Sequence, residues 1–340
     1  MTDTVAEPKK DKFWSFFAKP PMVGIIAFMA VFIVQPIGHI IMLVMEAVLV
    51  HGDMWYSKFS DFKDTPPVFP EGFHDYAGID NIIYLPAFIM GVVGIVIVMW
   101  GVRRDTEIAG TWAGFIGSTL LWTGWIEFSL HFHARYFAVK SLCDDGTIAF
   151  ACAEKPATKP EYFLMQGSVG FLLAITFYFM LNKETRCNMF RWMHKHMRIR
   201  VGKPSRGLTR NFANNVAIEN ITILWFFYVY LMFLYDETFF GEHHWFTYFS
   251  FVAILVWSLY LIQRLIRFKR VTSALRYAIP TAIIAYNLVE ITGRWGWLDD
   301  YWSRPMEFPV ASALTVLSLG VFAVISIKTA TNKTKQIDQH

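Results

Sequence analysis

The chain has 340 residues, 55% of them hydrophobic and 17% aromatic, with a mean hydropathy of +0.37 and a net charge of +4. A soluble domain of this size carries fewer apolar and more charged residues, so the composition excludes an ordinary globular protein. The small positive balance arises from how cations are sorted along the chain and is no sign of nucleic-acid binding.

A helix needs about 20 apolar residues to cross the hydrocarbon of a bilayer. Eight stretches meet this, so the predicted fold is an all-α, polytopic membrane bundle over 22–328, between a tail at 1–21 and a tail at 329–340. The first tail is polar and the first apolar run is too long for a signal-peptide core, so no cleavable leader is expected.

The first span, roughly 22–50, places Gln35, His39, Met42 and Glu46 on one helical face, with Pro36 and Gly38 beside them. A polar stripe of this kind should face other helices and not lipid. The outer loop 51–81 is acidic, broken by Pro66, Pro67 and Pro70, and is expected on the membrane surface. After the second span (82–102), the third (109–133) carries Glu127 and His131 four residues apart on one face. Gly117, Leu120 and Gly124 continue that face inward and allow a close neighbour. His133 lies about 200° around the helix from His131, so both meet one ion only if the helix ends there.

The outer loop 134–161 contains Cys143 and Cys152, nine positions apart. On the oxidising side of a membrane they are expected to form a disulfide, stabilising the loop by roughly 2–3 kcal/mol. The fourth span (162–182) leads to a basic inner loop, 183–211, with Phe190, Trp192, Met193 and a lone Cys187. That loop reads first as an orientation signal, and second as an interfacial helix or a docking segment for a protein partner.

The fifth span (212–235) opens on Asn211, Asn215, Glu219 and Thr222, with Arg210 and Arg276 as expected partners of Glu219. Glu242, His243 and His244 precede the sixth span (246–265). The seventh (272–292) carries Pro280, expected to kink it, then Asn287, Glu290 and Arg294; the last two are spaced for a salt bridge. The eighth covers 308–328.

The loops alternate in charge. One set holds 23 of the 31 Lys and Arg, while the other holds eight of them and 16 acidic residues. By the positive-inside rule the first set is cytoplasmic, so both termini lie inside and the protein belongs to the cell inner membrane, with the bilayer as its first partner.

Counting from the span ends at about 1.5 Å per residue puts Glu46, Glu127, His131 and Glu290 in one layer roughly 6 Å thick near the periplasmic face. His39 falls roughly 10 Å deeper. Carboxylates with imidazole suit iron, manganese or zinc better than copper. The first functional reading is therefore a metal-dependent enzyme, redox or hydrolytic, acting on a membrane-soluble substrate. Glu46, Glu127, His131 and Glu290 would be metal ligands, and His39 and Glu127 catalytic groups. The alternatives are a proton-coupled transporter using the same residues, opposed by the lack of an internal repeat, and a non-catalytic subunit or assembly factor. The HxxxH and HxxHH clusters of membrane di-iron hydroxylases, a phosphate-binding loop and a hydrolase elbow are all missing.

Overall fold

A computed structural model describes residues 16–17, 19–46, 74–136, 139–149, 156–185, 188–203, 211–298, 301–302, 304–305 and 307–337. For some of these, Glu46 and His131 included, it describes the backbone only. The first outer loop up to residue 73, Cys152, Cys187 and Arg210 lie outside the described residues.

The first apolar stretch forms two helices, α1 (Met22–Phe32) and α2 (Val34–Glu46), joined at Ile33. Pro36 has no N–H to offer the carbonyl four residues back, at Phe32, and this is where the chain departs from a single straight helix. Then follow α3 (His74–Val102) and α4 (Glu107–Leu121), which passes through a wide π turn (Trp122–Glu127) into α5 (Phe128–Tyr136). The second outer loop contains a small antiparallel sheet. Its strands are β1 (Ser141–Cys143), β2 (Ile148–Ala149) and β3 (Pro156–Thr158), in the order β2-β1-β3. Asp145 closes its turn: Thr147 N and Oγ1 donate to Asp145 Oδ1 at 2.9 and 2.7 Å. These bonds hold the exposed Asp145 carboxyl below its ordinary value.

Helices α6 (Pro160–Gly167) and α7 (Val169–Leu181) meet at Ser168, and α8 (Asn188–His196) lies in the basic inner loop. The chain ends with α9 (Phe212–Tyr235), α10 (Trp245–Leu265), α11 (Val271–Arg294, with Pro280 inside it) and α12 (Pro309–Ile337).

Among the described residues six helices are long and apolar enough to cross a membrane: Met22–Met42, Leu85–Val102, Pro160–Leu181, Phe212–Tyr235, Trp245–Leu265 and Pro309–Lys328. The other two expected spans are helices of adequate length but more polar, α4 continued to Tyr136 and α11. Their place in the bundle explains the difference. Helix α11 packs on α1, α9 and α10, and α4 packs on α3 and α9. A helix surrounded by protein can carry groups that lipid would not accept. Burial follows the same division. Met22–Met42 is 56% buried and Phe212–Tyr235 50%, whereas the other four lie between 11% and 22%. Those four present large side chains outward, such as Phe171, Val256, Val310 and Leu317.

Two local contacts differ from expectation. Arg276, expected beside Glu219, pairs with Glu107, and Arg270 approaches the same carboxylate at 3.2 Å. The polar residue that ties α9 inward is Asn220, fully buried, whose amide donates to Ser118 Oγ at 2.9 Å and Thr119 Oγ1 at 3.2 Å. At the other end of α9 the buried Asp236 accepts from Thr158 Oγ1, Gln166 Nε2 and Thr238, clasping β3 and α6 to the helix end. In α8, Phe190 is buried against Met180 while Trp192 is exposed.

Candidate functional site

The site is built where α2 crosses the π turn. Gly38 makes the crossing possible: a Cβ there would stand 2.5 Å from Thr123 Oγ1. On the other side, a Cβ on Gly124 would stand 2.4 Å from the carbonyl oxygen of Ala87 in α3. The turn is thus pinned between two helices by two glycines. A π turn holds one residue more than an α turn, so side chains beyond it are rotated relative to those before it. Gly117, Leu120 and Gly124 accordingly face α3, as close packing required, while Glu127 faces α2.

There Glu127 Oε1 lies 3.1 Å from His39 Nδ1. Glu127 is buried, but 30% of the His39 side chain remains accessible. The carboxylate oxygen accepts, so Nδ1 carries a proton, and in the neutral imidazole Nε2 is left as an acceptor. Depth counting separated His39 from Glu127, and the structure joins them. The third span contains the extra residue of the π turn, which displaces that count.

The pair lies on the wall of a cavity of about 170 Å³ enclosed by α2, α4, the π turn, α9 and α11. Glu290, Arg294, Asn287, Tyr228, Tyr235 and Tyr286 also line it. Apolar wall is supplied by Trp122, Phe227, Leu231, Met232, Ile283 and Trp302. Gln35 lines the cavity too, and its amide donates one turn back to Val31 O at the end of α1 (3.3 Å).

Arg294 closes one side. It donates to Tyr162 Oη at 3.3 Å, lies 3.7 Å from Glu242 Oε1, and stacks 4.9 Å over the Tyr235 ring. Trp295 Nε1 donates to Glu242 O at 2.8 Å, so the turn before α10 is fastened to the end of α11. The ion pair drawn from Arg294 reaches Glu242, a partner that sequence spacing did not suggest.

Three polar atoms among the lining residues are buried without a hydrogen-bond partner: Tyr235 Oη, Tyr286 Oη and Asn287 Oδ1. The Asn287 amide nitrogen is already committed to Ile283 O at 2.7 Å. Each unpaired polar atom in an apolar surrounding costs about 1–3 kcal/mol, a cost that water or another molecule in the cavity would relieve.

His39, Glu127 and Glu290 thus share one cavity. The side chains of Glu46 and His131 lie outside the described residues. Among the described residues no three His, Cys, Asp or Glu side chains converge as a metal cluster. Sequence reading missed the tyrosines because aromatic residues in spans are ascribed to the interfacial belts. The available signal was their position: Tyr228 and Tyr235 are seven residues apart on one face of α9, and Tyr286 adjoins Asn287. No family model, curated protein or solved structure matches the chain.

Proposed function

We propose that the protein is an eight-span integral protein of the inner membrane, with both termini in the cytoplasm, whose cavity binds a membrane-soluble molecule and exchanges a proton with it. The observation that carries this is the His39–Glu127 pair, contributed by two helices, on the wall of a cavity that also holds three unpaired polar atoms. Glu127 fixes the imidazole with Nδ1 protonated, so Nε2 takes the proton of a bound acid and the carboxylate stabilises the imidazolium that results. The reverse transfer uses the same two groups. Arg294, held by Glu242 and Tyr162, supplies a fixed positive charge at the cavity wall.

The test is the content of the purified protein. Wild-type protein should carry a small organic molecule that is lost from His39→Ala and Glu127→Ala protein of unchanged helicity. Wild-type extracts free of any such molecule, from two lipid compositions, would overturn the reading.

A second reading is favoured by the same pair. Metal-bound imidazoles usually give their other N–H to a carboxylate. His39 Nε2 and Glu290 would then be joined by Glu46 and His131 around iron, manganese or zinc, with Glu127 orienting His39. Metal analysis of wild-type, Glu290→Ala and His131→Ala protein tests it, and wild-type protein lacking stoichiometric metal removes it.

For the outer loop we propose the Cys143–Cys152 disulfide. Its support is that Cys143 is buried in β1 and is not a free thiol.

A further inference from the structure

We propose that the cavity seats the ring of a membrane-soluble quinol, a six-membered ring bearing two hydroxyl groups. The inference rests on the reading of the cavity as a binding site and names its ligand class. Size comes first. A cavity of roughly 150 Å³ lined by apolar side chains takes up benzene. The present cavity, about 170 Å³, has space for one substituted ring.

The walls then select what kind of ring. Phe227, Leu231, Met232 and Ile283 offer no hydrogen bond, so a chain of water molecules would go unsatisfied along that side. Trp122 and Trp302 add indole walls, and aromatic walls favour a flat, apolar-faced ligand.

The polar atoms select the substituents. Asn287 Oδ1 is an acceptor only, and the amide nitrogen beside it is spent on Ile283 O. In the neutral imidazole His39 Nε2 is also an acceptor, because Nδ1 is spent on Glu127. Two acceptors require two donors from the ligand. The Tyr235 and Tyr286 hydroxyls, both unpartnered, can donate or accept, so they complete the bonding of two ligand oxygens. A quinol supplies two O–H donors and two oxygens that also accept. A quinone has acceptors only, which would leave Asn287 Oδ1 buried and unpaired and give His39 Nε2 no donor. A free carboxylate would meet Glu127 and Glu290 on the same wall.

The experiment compares three probes on the full wild-type chain in lipid nanodiscs without oxygen: a decyl-substituted hydroquinone, the matching quinone and the matching dimethyl ether. Equilibrium dialysis gives each dissociation constant. The hydroquinone should bind at least about tenfold more tightly than either analogue, the factor expected when a buried acceptor loses its donor. Asn287→Leu should reduce that preference to within about threefold while leaving the affinity for the quinone nearly unchanged. Because the probe series needs no variant, misfolding of Asn287→Leu leaves the test intact. Equal or tighter binding of the quinone or the ether overturns the ring assignment, as does failure of all three probes to bind. If the probes fail while another organic molecule co-purifies in a His39-dependent way, this inference falls and the proton-exchange reading stands. If nothing co-purifies either, both fall.

Discussion

At the scale of single residues, the cavity contains two kinds of polar group that mutation should separate. Glu127 is paired, so Glu127→Ala leaves the His39 Nδ1 proton without an acceptor. The expected loss is about 1–3 kcal/mol, read as a fall in thermal unfolding temperature in detergent. Tyr235 and Tyr286 have hydroxyls with no partner, so Tyr→Phe at either position should leave the empty protein unchanged or slightly more stable, within about 0.5 kcal/mol. A clear loss on Tyr235→Phe would mean that its hydroxyl is a structural group. In the outer sheet, Asp145 shows a different kind of dependence. Its folded carboxyl is held below the ordinary value by Thr147, so the turn keeps its full stability above the unfolded value and loses it as pH falls through the folded one. The Thr147 amide should stay protected from hydrogen exchange through mild acidification and lose that protection only below the usual carboxylate range. Asp145→Asn should remove this pH dependence. His39, Glu127 and Glu290 were legible in the sequence as ionisable groups where lipid forbids them. That His39 meets Glu127 was not legible, because depth along a helix is counted from an end that sequence places only to within several residues.

At the scale of elements, the π turn and its two glycines decide where the site is. Sequence periodicity assumes about 3.6 residues per turn throughout, and one extra residue breaks that assumption without any sign in the composition. This is why the close-packing stripe Gly117, Leu120 and Gly124 was legible and the direction of Glu127 was not. The glycines should differ in cost. A Cβ on Gly124 meets backbone, the carbonyl of Ala87, which cannot rotate away. A Cβ on Gly38 meets the Thr123 hydroxyl, which can. Gly124→Ala should therefore destabilise by about 2–3 kcal/mol and Gly38→Ala by about 1 kcal/mol, compared by thermal unfolding. Equal effects would mean that the helices are less tightly held at this crossing than the distances imply. The joints at Ile33 and Ser168 lay inside stretches that read as single spans. Pro36 was a visible cause of the first, and at the second the Ser168 hydroxyl donates to Met165 O, a local bond that hydropathy does not report.

At the scale of the whole molecule, the bundle divides into outer helices that face lipid and inner ones that hold polar groups. Hydropathy finds the outer helices and also the inner α1 and α9, whereas α11 is polar for the same reason that it is central. The proposed orientation is open to a direct check on thiols. An impermeant maleimide applied to intact spheroplasts should leave Cys187 unlabelled, and permeabilisation should expose it. Prior reduction should add label at Cys143 and Cys152 from the outside. Labelling of Cys187 in sealed spheroplasts would invert the topology and move the cavity to the cytoplasmic half. The unpaired hydroxyls and amide oxygen also couple loading to endurance. Whatever satisfies them binds the folded chain alone, and at a concentration a hundredfold above its dissociation constant it adds about 2.7 kcal/mol to the resistance to unfolding. Protein stripped by long detergent washing should then be the most fragile preparation, and a melting-temperature screen of lipid extracts could find the natural occupant before any reaction has been assigned.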